Sequence, residues 1–165
     1  MLDAGAAFDL GGQSAANVFL PYGAGTLLNP KEGTAVEIVQ GALTNDLAFT
    51  GRIAAPAKVT VEGTAPWRVG AGAQFDGGLE IGGGPVRFED GLALATGVTL
   101  GWDAVLTCTG DVHVAALAGS GRIRCVPEGS WPVVADASAF AGVYACETGV
   151  TPPSARTSGC GGALA

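Results

Sequence analysis

Positive charge is scarce in this sequence: eight Lys or Arg stand against fifteen Asp or Glu over 165 residues, for a formal net charge of −7. Cations so few and so scattered do not read as a nucleic-acid surface, so no nucleic-acid partner is expected. Long apolar runs are missing too. Glycine or a polar residue interrupts every one, and no membrane insertion is expected. The first twenty residues lack a basic stretch followed by an apolar core, so no signal peptide is visible. Histidine occurs once, as His113, and the cysteines Cys108, Cys125, Cys146 and Cys160 have neither zinc-type nor C-x-x-C spacing. Metal and redox chemistry are therefore not indicated, and no cofactor is expected. A G-x-S-x-G elbow is also absent, and the alternation Val112-His113-Val114 points the imidazole outward.

Glycine, by contrast, is abundant. Its 28 copies lack the every-third spacing of collagen, and the chain is 48% hydrophobic but only 14% charged. Such a composition describes an ordered chain that turns often and builds few regular helices. The turns recur. Val59/Val61, Leu79/Ile81, Val98/Leu100 and Ala115/Leu117 are alternating apolar pairs at spacings of 20, 19 and 17 residues. A second series runs through Trp67/Val69, Val86/Phe88, Val105/Thr107 and Ile123/Cys125, and a weaker third through Phe75, Leu94 and Val112. Alternation marks strands with one buried side, but each strand is short and ends at a glycine, a proline or an acidic residue.

Three short strands per period, with no regular hairpin turns between them, describe an all-β, three-strand-per-turn parallel β-solenoid (β-helix) of about 19 residues per coil and roughly six coils. A glycine-rich sandwich or jelly roll is the rival architecture. Val18/Leu20, Val36/Ile38 and Leu47/Phe49 extend the ladder backward, and Val133, Val134 and Val143 close it irregularly. The expected division is an N-terminal cap or extended arm over 1–17, a solenoid domain over 18–145 and a Pro/Gly/Ser-rich C-terminal tail over 146–165. The expected core comprises Val59, Val61, Trp67, Leu79, Ile81, Val86, Phe88, Val98, Leu100, Leu117 and Ile123.

Residues 91–125, and in particular Leu94, Gly97, Leu100, Leu117, Gly119, Ser120, Gly121 and Ile123, carry a likeness. Phrases of the form L-x-x-G-x-x-L followed by L-x-G-S-G-x-I resemble the glycine-rich β-helical repeats of bacterial autotransporter-passenger-type surface proteins. The resemblance spans roughly residues 59–125. It implies export, a rod-like shape and a role in display, adhesion or fibre formation. The chain is far shorter than such passengers and carries four cysteines.

Candidate surface residues are few. Arg68, Arg87 and Arg124 occupy equivalent positions, each beside an inward residue, and form an outward row; Glu62 and Glu80 stack on another strand. Trp102 and Trp131 sit at a corner and in a loop, where an indole can stack on a sugar ring or fill an irregular cap. Asp76 with Glu89 or Asp90 is the one carboxylate pair to weigh as a glycosidase site. The cysteines cluster where the repeat degrades. Three pairings are open, buried thiols are the rival reading, and Cys108–Cys125 with Cys146–Cys160 is the expected set, reached if a register slip turns Leu106 and Cys108 inward in place of Val105 and Thr107.

No constellation of side chains dictates a reaction. The sequence therefore reads as a non-enzymatic extracellular or cell-surface module, structural or adhesive. It is expected to associate with itself end to end into filaments and to meet a glycan or host-surface ligand. A phage-type receptor-binding spike and a polysaccharide-degrading β-helix enzyme are the alternatives.

Overall fold

A computed structural model describes residues 1–13, 17–19, 22–29, 35–40, 48–125, 131–146 and 163–164. Among them there is no helix. The strands are β1 (Ala7–Asp9), β2 (Asn17–Phe19), β3 (Thr26–Leu28), β4 (Val36–Gln40), β5 (Arg52–Ala54), β6 (Ala57–Val61), β7 (Trp67–Val69), β8 (Gln74–Phe75), β9 (Leu79–Phe88), β10 (Ala93–Cys108), β11 (His113–Gly119), β12 (Arg122–Cys125), β13 (Val133–Phe140), β14 (Val143–Cys146) and β15 (Ala163–Leu164). Every paired strand is parallel to its neighbour. Together they wind a β-solenoid of about six turns.

Three faces repeat in chain order. Face 1 stacks β7, residues 85–88, residues 105–108, β12, β14 and β15. Face 2 stacks β1, β3, β5 and β8, and above them residues 93–94, 113–114 and 133–134. Face 3 stacks β2, β4, β6 and residues 79–81, 98–100, 117–119 and 139–140. The long strands β9 and β10 run around corners and contribute to two or three faces each. The ladder begins at Ala7, inside the segment expected to be a cap or arm.

Inside the coil, side chains from equivalent positions form columns. On face 3 the partners Val36–Ala57–Leu79–Val98–Leu117 and Ile38–Val59–Ile81–Leu100 are buried. On face 1, Trp67–Val86–Leu106–Ile123–Tyr144 form one column and Phe49–Val69–Phe88–Cys108 a second. Burying such columns from water is what holds a coil together whose own strands are only a few residues long. Phe49, Trp67 and Phe75 meet across the interior with ring centroids 5.9–6.2 Å apart.

The register differs from the sequence expectation in instructive ways. Val59 pairs with Ile81 rather than Leu79, and Leu117 with Val98 rather than Leu100. Both are two-residue slips, so every side chain keeps its face, and Val61 and Leu117 remain buried. Leu94 likewise pairs with Val114, which leaves Val112 buried at a corner. The Val105/Thr107 expectation fails outright, because Leu106 and Cys108 are the inward pair. A register shift between Leu100 and Asp103 puts one more residue into that corner than the preceding turn has, and a one-residue change inverts the alternation.

At the next corner Gly119 sits in the register slot opposite Leu100 with φ of 94°. A Cβ there would strike the Leu100 carbonyl, whose oxygen accepts the Ser120 and Gly121 N–H groups. Only glycine meets both demands.

Candidate interaction surface

Because inward and outward positions alternate, each face carries outward rows that run across the turns. On face 1 the row is Arg68, Arg87, Thr107, Arg124, in register. Glu89, at the end of β9, ties the first two together: its Oε1 accepts from Arg68 Nε at 2.6 Å and lies 3.3 Å from Arg87 Nε. The second contact is not aligned as a hydrogen bond, and the buried Arg87 Nε makes none. Thr109 Oγ1 donates to the other Glu89 oxygen at 3.3 Å. Arg122, paired with Val105, lies on the outward side of β12 with Arg124, and both are exposed.

Face 3 shows the opposite balance. Its outer row runs Glu37, Lys58, Glu80, Thr99, and Glu62 follows just past β6. Lys58 Nζ is 3.2 Å from Glu80. On face 2 Arg52 donates from Nε and a terminal nitrogen to Asp76 one turn on, and this bond with its charge holds the guanidinium pKa above the ordinary value. A groove of about 590 Å³ follows the corner between faces 2 and 3, lined by Lys58, Asp76, Gly78, Glu80 and Thr99 among others. A second hollow of about 370 Å³ adjoins it where β8 and the start of β10 lie side by side without forming a ladder. Thr96 Oγ1 donates to the Phe75 carbonyl there, a side-chain substitute for a strand bond.

The remaining candidates separate. Trp102 is 82% exposed at the corner that leads into the 105–108 segment of face 1. Trp131 is half-buried and packs edge-on against Tyr144, with centroids 5.6 Å apart. His113 faces solvent with Nε2 3.1 Å from Asp111. Asp76 and Glu89 lie at opposite ends of face 2, each engaged by its own arginine, so they do not form a pair. Among the described residues no three His, Cys, Asp or Glu side chains converge as metal ligands.

Cys108 is a buried thiol and is not in a disulfide, which departs from the expected Cys108–Cys125 bond. The backbone nevertheless sets positions 108, 125 and 146 in one vertical line. Cys125 pairs with Cys146, and Thr107 pairs with Arg124 one residue before Cys108 and Cys125. Stacked positions on a parallel ladder are held apart by the strand spacing, whereas a disulfide draws Cβ atoms to roughly 3.8 Å. Cys160 lies outside the described residues.

Two exposed positions escaped the sequence reading. Arg122 carried a signal, since Arg122-Ile123-Arg124 alternates around an inward residue. Phe8 carried one as well: it lies 19 residues before Leu27, its partner in the ladder.

No family model, no curated protein and no solved structure matches this chain. The surface must be interpreted from its own geometry.

Proposed function

We propose that this chain is a non-enzymatic, extracellular structural or adhesive β-solenoid module that associates end to end through its N-terminal turn. The observation that carries the reading is Phe8. It belongs to the inward column Phe8–Leu27–Ile53–Phe75, yet it is 55% exposed, because among the described residues no strand lies beyond its own. Among the described residues β1 pairs only with β3, which leaves its other edge without a ladder. An open parallel edge beside an exposed core residue is a template for another strand, and natural sheets rarely leave one uncovered. A second copy supplies both a strand edge and an apolar surface, and end-to-end contacts that do not close give filaments. The likeness of residues 59–125 to autotransporter-passenger repeats supports display outside the cell.

Light scattering and electron microscopy across concentration test this. Assembly should grow with concentration, and Phe8→Asp should hold the protein monomeric without changing its circular dichroism. A wild-type protein that stays monomeric at high concentration would overturn the proposal.

A further inference from the structure

The corner from face 3 to face 1 collects side chains that the fold does not use. Trp102 is 82% exposed there, and among the described residues it makes no ring or hydrogen-bond contact. Glu62, Asp103 and Arg122 are exposed too, and their side chains make no hydrogen bond or ion pair among the described residues. Arg52, Lys58, Arg68 and Arg87, by contrast, each meet a carboxylate. The unengaged groups converge. Val105 pairs with Pro85 on the turn before and with Arg122 on the turn after. Glu62 directly follows Val61, whose carbonyl a Cβ on Gly84, the residue before Pro85, would strike. Glu62, Asp103 and Arg122 therefore lie along one corner, within three turn spacings or about 14 Å.

The backbone thrusts Trp102 outward. Three steps lead from Leu100 to Asp103, where two lead from Ile81 to Gly83 on the turn before. Five lead from Leu100 to Val105, where three lead from Gly119 to Arg122 on the turn after. The surplus bows out beyond both neighbours, as a bulge does when it re-aims a side chain. Those neighbours carry Gly82, Gly83 and Gly84 on one side and Gly119, Ser120 and Gly121 on the other. Gly121 is held to that size, because a Cβ on it would strike the carbonyl of Gly101. The indole thus stands on low ground that a flat ligand can reach.

The charges around it select the ligand. A cation stacked on the indole would be repelled by Arg122, and a polyanion by Asp103, Glu62 and the net charge of −7. A neutral ring rich in hydroxyls meets neither penalty, since each hydroxyl can donate to a carboxylate or accept from a guanidinium. Equatorial hydroxyls also leave the C–H faces of a sugar ring bare for the indole. We propose that the Trp102 corner binds a neutral glycan of glucose-type pyranose rings. Trp102 stacks on one ring, Asp103 and Arg122 take hydroxyls at its edges, and Glu62 meets a ring farther along. The inference rests on the adhesive side of the reading above and is independent of end-to-end association.

Cellohexaose, a neutral linear oligosaccharide, is the probe, titrated into the full chain while the indole N–H signals of the three tryptophans are followed by NMR. The Trp102 signal should shift. Trp102→Ala should weaken binding about tenfold, the share of a stacked aromatic ring, and leave the circular dichroism unchanged because the side chain is exposed. Asp103→Asn should weaken it several-fold. Phe8→Asp should bind as the wild type does, so failure of end-to-end association leaves this test standing. No binding of cellohexaose, or unchanged binding by Trp102→Ala, overturns the proposal. Tighter binding of choline or of alginate than of cellohexaose overturns the neutral-glycan assignment.

Discussion

The two ends of the solenoid each hold an inward aromatic residue, on face 2 at one end and face 3 at the other, and treat it differently. At the N-terminal end Phe8 tops the column over Leu27 and is more than half exposed. At the C-terminal end Phe140 stands opposite Gly119 and is 1% exposed, packed edge-on against Tyr144 at 5.4 Å, with Trp131 beyond. The large ring is set against the smallest residue. On face 1, β15 adds a further strand beside β14. Inward register therefore does not secure burial. A column position is buried only when a neighbouring turn or a lateral partner covers it.

Truncating a phenylalanine at each end breaks this comparison most sharply. Phe140→Ala should cost about 3–5 kcal/mol, the range for emptying a fully buried aromatic site, whereas Phe8→Ala should cost under about 1 kcal/mol in the monomer. Urea unfolding of dilute protein measures both, and equal losses would contradict the difference between the ends.

A subtler version substitutes glycine. Gly119→Ala must tolerate both a positive φ and a Cβ driven into the Leu100 carbonyl, and should cost about 2–4 kcal/mol. Gly11 also has a positive φ, of 65°, but nothing lies within 4 Å of a Cβ there. Gly11→Ala should lose only the backbone part, about 1 kcal/mol. Thermal midpoints of the two variants sharpen the contrast between a crowded corner and an open end.

The smallest effect concerns acid. Near the C-terminal end the Ser138 backbone N–H donates to Asp136 Oδ1 at 2.9 Å, which with the Ser138 side chain lowers the carboxyl pKa below its ordinary value. A depressed folded-state pKa stabilises the fold above the unfolded-state value near 3.9, and that increment is lost as pH falls through the lower folded value. Carboxyl titration by NMR should find Asp136 below the usual aspartate range. Asp136→Asn should remove a small part of the midpoint loss on acidification below about pH 4.

Much of the architecture was legible because a coil asks little of each position. Val36, Ile38, Val59, Ile81, Val98 and Leu100 recur near the period of one turn, and the alternation around each settles which side is buried. What the period could not supply was corner length. Ala57 aligns with Leu79 and Val98 with Leu117 through corners that absorb different numbers of residues without disturbing the inward columns. The Leu100–Asp103 corner also keeps its columns, but its extra residue offsets the count by one, so that Leu106 and Cys108 rather than Val105 and Thr107 face inward. The surface was less legible. Arg68, Arg87 and Arg124 could be matched by period, but Arg122 and Glu89 join them only once the strands are registered side by side.

The sequence by itself determined a parallel coil with an apolar interior, because glycine at the corners and alternating apolar pairs at a near-constant period admit few other foldings. Only the tertiary structure decided which positions become neighbours across turns, since that depends on counting residues through every corner. It brought four arginines from a dilute set onto one face, placed Glu89 between two of them, and lined up positions 108, 125 and 146. It also left Phe8 open at one end and Phe140 enclosed at the other, because enclosure depends on the turn above and not on the residue itself.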